Sequence, residues 1–196
     1  MPVTVRTFAS SGEAAAALSS DRGARYLGGG TLVMRALNEG DISISTIVRV
    51  TDHALTRIDA AGPRVTIGAS VTFARILAER DLSFLHAPAR SIGGPAVRNM
   101  GTVGGNLFAP IPYGDFTVAL LALDAVVSVQ GGLGNRDVPI EEFLQSRACR
   151  EPQPKRRSQP AAPFPNSSSP SPERSGSKMR KSSSAQSAEF RTANCS

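Results

Sequence analysis

Residues 91–115, SIGGPAVRNMGTVGGNLFAPIPYGD, gather two glycine pairs, an Arg-Asn step, a Thr and an Asp into one stretch. Gly93-Gly94-Pro95 and Gly104-Gly105 are expected to interrupt any helix or strand, because glycine replaces side chains where backbone takes unusual dihedrals or comes close to something else. Backbone N–H groups freed in such a turn form a concave nest for anions, and a diphosphate has the shape and charge to fill one.

A second cluster, Tyr26-Leu27-Gly28-Gly29-Gly30-Thr31-Leu32-Val33, follows an apolar pair as a strand-to-loop junction would. Each cluster alone also reads as a tight turn; the pair together points to one shared ligand. The phosphate-loop pattern fails, since no Lys follows Gly30 and residues 1–149 contain no lysine. The dinucleotide fingerprint of a parallel βαβ unit fits badly too, because neither cluster has its glycine spacing with an acidic residue about twenty positions on.

Leu27-Gly28-Gly29-Gly30-Thr31 resembles the first FAD loop of the molybdopterin dehydrogenase FAD-binding family. Arg98-Asn99-Met100-Gly101-Thr102-Val103-Gly104-Gly105-Asn106, followed by Gly114-Asp115, resembles the second. That family includes the flavoprotein (medium) subunit of aerobic carbon monoxide dehydrogenase and the middle region of xanthine dehydrogenase. The similarity runs from about Val5 to Phe143. The first loop departs from the family pattern at Gly28, where Ala is usual, and at Leu32, where a polar residue is common. The resemblance implies an FAD cofactor whose diphosphate lies among the backbones of Leu27, Gly28, Gly29, Gly30, Thr31, Leu32 and Val33 and of Thr102, Val103, Gly104, Gly105 and Asn106. It also implies that Asp115 binds the cofactor through ribose hydroxyls and that Ile92 makes an apolar contact near the flavin. From the residues alone, Asp115 also reads as the N-cap of a following helix.

The same resemblance implies partners. Family members take electrons from a molybdenum-cofactor subunit through an iron–sulfur subunit, and FAD hands them to NAD, oxygen or a quinone. With only Cys149 and Cys195, the chain has no cysteine cluster for an iron–sulfur centre, so those partners would be separate polypeptides. No metal-ligand cluster and no disulfide framework are expected. No catalytic acid–base or nucleophilic constellation is legible around His53 or His86, so the chemistry must come from the cofactor. The truncated, non-catalytic remnant of such a domain is the alternative.

Taken in order, residues 3–7 alternate as a strand, and Ser10, Ser11 and Glu13 start a helix. A strand at 24–27, a helix at 32–37 and a strand at 46–50 complete a small α/β unit. Residues 55–59 and 64–68 read as a hairpin across Ala61-Gly62-Pro63, followed by helices at 72–79 and 88–92. The apolar run 116–123 reads as a helix buried nearly all round. Strands at 125–130 and 136–140 form a second hairpin, and Glu141-Glu142-Phe143 opens a last helix. The expected fold class is therefore α+β: a two-subdomain FAD-binding fold with subdomains at 1–54 and 55–149.

Residues 150–196 differ in kind. They hold nine basic against three acidic residues, the whole of the chain's formal net charge of +6, whereas residues 1–149 balance thirteen of each sign. They are crowded with Ser and Pro, so a disordered basic tail is expected, and the abrupt change in composition is what a frameshifted or truncated reading frame produces. The basic residues are scattered and lack interleaved aromatics, which argues against nucleic-acid binding. No apolar run approaches the roughly twenty residues of a membrane span, and no secretory signal is visible, so a cytoplasmic location is expected.

Overall fold

The computed structural model describes residues 2–62, 64–110, 114–131, 134–148 and 187–193. Two sheets organise it. In the first, β1 (Thr4–Phe8), β2 (Ala24–Tyr26) and β3 (Thr46–Val50) are parallel in the order β1-β3-β2. The β1 strand runs one residue beyond its expected end, because Phe8 still pairs with Val50 although its side chain breaks the alternation. Helix α1 (Ser11–Ser20) connects β1 to β2, and α2 (Val33–Asn38) connects β2 to β3. Ser10 caps α1 by accepting the Glu13 N–H at 3.3 Å. Ala14 packs on Ala24 and Val48; small residues let the helix sit close to the sheet. Ile47 and Val48 are both buried, as expected for the central strand of a parallel sheet.

Asp52 then caps a short 3₁₀ turn at His53–Thr56, accepting the Ala54 N–H at 2.8 Å. That turn consumes the first half of the expected strand at 55–59, leaving only β4 (Ile58–Asp59) to pair antiparallel with β5 (Arg64–Gly68). Helices α3 (Phe73–Ala78) and α4 (His86–Ser91), joined by a 3₁₀ segment at Arg80–Leu85, agree with the reading. Two further helices, α5 (Pro95–Met100) and α6 (Val103–Leu107), do not. They occupy the stretch expected to be turns, and α6 contains Gly104 and Gly105. Thr102 caps α6 through the Gly105 N–H at 3.1 Å, which offsets the poor helix propensity of glycine over so short a span.

Helix α7 (Asp115–Ala122) follows, then the hairpin β6 (Val126–Gly131) and β7 (Gly134–Pro139), then α8 (Ile140–Ala148). The α7 helix is not buried all round: Phe116, Thr117 and Leu120 face the core, while Val118 is 68% and Leu121 41% exposed. Its sequence is largely apolar all round, but among the described residues only one face has a neighbour. The main core lies between the second sheet and helices α3, α4, α6, α7 and α8, with Ile67, Phe73, Ile76, Leu107, Phe116 and Val127 at its centre.

Within the segment expected not to fold, Ser187–Ala193 is a strand, β8, lying between β5 and β6 and parallel to both. Average composition concealed it: SAEFRTA alternates small or apolar with polar residues over its first five positions, and ladder hydrogen bonds need only backbone. The rest of the expected tail, and the turn at 132–133, lie outside the described residues. Deleting residues 187–193 leaves two facing strand edges with unpaired N–H and C=O groups. Such a truncation is expected to lower the denaturation midpoint and increase aggregation, measured by urea unfolding and light scattering; an unchanged midpoint would show that β8 adds nothing to the sheet.

Candidate functional site

The first glycine segment leaves the sheet at the carboxyl end of β2, beside the carboxyl end of β3, where parallel α/β sheets place ligands. Leu27 prolongs the ladder by one bond, its N–H donating to Val48 O at 2.8 Å. From Gly28 to Val33 the pattern changes: none of the six backbone N–H groups donates to any group of the described chain, and all six residues are only partly exposed. A run of half-buried, unspent donors requires an outside acceptor, either water or an anion.

In the second glycine segment the donors are spent. The Val103 N–H donates to Val71 O at 3.0 Å, Gly104 N–H to Ala69 O at 2.8 Å, and Asn106 N–H to Thr102 O at 3.0 Å, while Gly105 N–H is held by the Thr102 cap. The N–H groups of residues 103–106 are therefore not open to form the expected nest, because α6 and its docking onto residues 69–71 use them. Glycine is required here for close approach instead: a Cβ on Gly104 would stand 2.8 Å from the Ala69 Cβ and 2.9 Å from its carbonyl oxygen. The two segments nevertheless meet. A Cβ on Gly29 would lie 1.8 Å from Met100 O, so the first loop packs directly on the backbone before α6.

Between them lies a cleft of about 270 Å³. Leu27, Gly28 and Gly29 form one wall and Asn99, Met100 and Thr102 the other, with Arg49, Val50, Ser70 and Thr72 completing the lining. A larger hollow of about 400 Å³ beside β4 holds Arg75, Glu79 and Asp81, but its Arg75 and Glu79 are already joined at 2.7 Å and neither glycine segment reaches it.

Residues 3–156 match the family described as the FAD binding domain in molybdopterin dehydrogenase. The chain belongs to that family. The FAD-binding domain is 32% identical over 145 residues to the 6-hydroxypseudooxynicotine dehydrogenase complex subunit alpha of Paenarthrobacter nicotinovorans, a match covering 70% of this chain and 49% of the relative. It is 30% identical over 132 residues to the nicotine 6-hydroxylase medium subunit of the same organism, covering 65% and 47%. Among solved structures it is similar to carbon monoxide dehydrogenase from Hydrogenophaga pseudoflava, with a TM-score of 0.67 and 25% identity over 72% of this chain and 51% of that one. The chain spans about half the length of the curated relatives it matches.

Of the residues read as binding FAD, Leu27, Gly28, Gly29 and Thr102 line the cleft, with Gly30, Thr31, Leu32 and Val33 continuing the loop of unspent donors. Ile92 and Asp115 do not line it. Ile92 ends α4 against the main core, and its carbonyl accepts from Arg98 Nη1 at 3.1 Å. Arg98 also reaches Gly93 O at 2.5 Å, so this motif residue braces the 92–93 turn. Asp115 is exposed and is not an N-cap: Gly114, at φ 112°, holds that position without a side-chain bond, and Asp115 is the first helical residue. The Thr117 hydroxyl donates to Asn106 Oδ1 at 3.4 Å, tying α7 to α6. Arg49, Ser70 and Thr72 line the cleft without having been singled out from the sequence; they lie outside both glycine segments, and only folding brings them there.

Ser70 also bears on Tyr26. Burial pushes the Tyr26 hydroxyl above its ordinary value of 10.0, and a hydrogen bond with Ser70 partly opposes the rise. A folded-state pKa above the unfolded value gives stability that is complete below the unfolded pKa and lost as pH rises through the folded one. Stability is therefore expected to fall as pH climbs past about 10, and Tyr26→Phe to flatten that limb in urea titrations. An identical alkaline limb in Tyr26→Phe would assign the loss to other groups.

Proposed function

We propose that the cleft holds FAD, with the diphosphate against the unspent N–H donors of residues 28–33, and that the chain serves as the FAD-binding subunit of a molybdenum hydroxylase. The run of free donors around Gly29, where a Cβ would strike the Met100 carbonyl, carries this reading, since it fits a diphosphate in both charge and clearance. Thr102 presents the opposite wall. Gly104 and Gly105 shape that wall by letting α6 dock, and Val103 and Asn106 belong to the same helix. Ile92 and Asp115 would contact the cofactor from outside the cleft, Ile92 by apolar contact and Asp115 through hydroxyl groups.

When bound, FAD supplies the electron-accepting ring of an oxidoreductase component. The protein's part is to orient the cofactor and neutralise its phosphates. Electrons would arrive from a molybdenum-cofactor subunit through an iron–sulfur subunit and leave to NAD, a quinone or oxygen in the cytoplasm. With domain limits of 1–54 and 55–149, the cleft would lie at the junction of the two subdomains. Two relatives, one a medium subunit and the other a complex subunit by name, support such an assembly. The test is FAD reconstitution followed by flavin absorbance per protein. Stoichiometric flavin supports the reading; a folded protein that takes up no flavin refutes it.

A further inference from the structure

Among the described residues, Arg49 is the one ionised side chain lining the cleft. It sits near the carboxyl end of β3, in register with Thr7 on β1, and is exposed. Among the described residues no carboxylate lines the cleft, and the Arg49 side chain makes no ion pair or hydrogen bond with them. A strand arginine with no acidic partner normally faces open solvent; this one shares its cavity with Gly28 and Gly29, where the unspent donors begin.

We propose that Arg49 is a charged contact for the diphosphate in this cleft, a binding residue outside both glycine segments. The proposal rests on the reading of the cleft as an FAD site. Neutral N–H dipoles act only at short range and in a fixed direction, whereas a guanidinium adds long-range attraction and a forked pair of donors matched to phosphate oxygens. With residues 104–106 committed to α6, the second segment supplies little to neutralise a doubly charged group. Arg49 supplies that charge from the adjoining strand.

The test measures equilibrium binding of FAD, ADP and riboflavin to the full chain and to Arg49→Gln and Arg49→Lys, at low and high salt, with circular dichroism to verify folding. Arg49→Gln is expected to weaken FAD and ADP alike by about ten-fold at low salt, the scale of one charge-assisted contact. The difference should shrink at high salt as the charge is screened. Riboflavin, which has no phosphate, should bind unchanged, and Arg49→Lys should fall between wild type and Arg49→Gln. Equal FAD and ADP affinity in wild type and Arg49→Gln would overturn the assignment while leaving the FAD site standing. An equal loss of riboflavin would overturn it as well, by showing a general effect on the cleft. Folded wild-type protein that binds neither FAD nor ADP would instead overturn the reading of the cleft itself.

Discussion

Gly29→Val is expected to abolish FAD retention while leaving the helices of the second unit folded. Even the first carbon of the new side chain would fall 1.8 Å from Met100 O and 2.9 Å from the Gly101 Cα, and both obstacles are backbone, which cannot rotate aside. The loop at 28–33 must then lift away from the wall formed by residues 100–102, displacing its unspent donors from the cleft. Overpacking of this kind costs about 1–3 kcal/mol of stability, a loss most domains survive. Gly29→Ala meets the same obstacle and should behave alike. Gly105→Val is the informative contrast: its Cβ would come to 3.0 Å of the Thr102 hydroxyl, and its N–H serves the α6 cap, so it should loosen the cap and reduce flavin occupancy only partly. Flavin absorbance per protein with circular dichroism measures all three. Full flavin occupancy in Gly29→Val would mean that the two segments do not jointly enclose the cofactor.

Phe73→Ala is expected to be the most damaging core substitution, costing about 3–5 kcal/mol. Phe73 is 1% exposed and meets Phe116 edge-on, with centroids 5.1 Å apart and planes at 66°. Its backbone N–H donates to Gly101 O at 3.1 Å, so the same residue that anchors α3 in the core also holds the wall of the cleft. Against the 5–15 kcal/mol that holds a typical domain folded, this is a large fraction. Urea unfolding of Phe73→Ala, Phe116→Ala and the double variant should give a coupling of about 0.5–1.5 kcal/mol for the ring pair. A loss below about 1 kcal/mol for Phe73→Ala would show that the site collapses around the vacancy.

What the sequence made legible follows from the range of the interactions involved. Strand period and capping chemistry are local, so β1 to β3, α1, α3 and the β6–β7 hairpin could be read from neighbouring residues. The glycine clusters were legible as a pair, but their division of labour was not. Whether the Gly104 N–H is free depends on Ala69, thirty-five positions earlier, and no local pattern encodes that contact. The α7 helix failed for a related reason: an apolar surface such as Val118 shows what could be buried, whereas burial needs a neighbour. Arg49 was missed because a charged residue between Val48 and Val50 reads as the solvent side of a strand until β3 is seen to end at the cleft.

The placement of β8 bears on how the molecule can be made. The chain between α8 and β8 spans residues 149–186, yet β8 separates β5 from β6 in the sheet. A ribosome releasing this polypeptide delivers both hairpins, β4–β5 and β6–β7, well before the strand that joins them. Until residues 187–193 emerge, each hairpin must wait with an open inner edge, and pairing strands so far apart in sequence is a slow, nonlocal step. During that interval any extended segment able to pair in parallel competes for the slot, so the vulnerable species is the nascent chain rather than the finished fold.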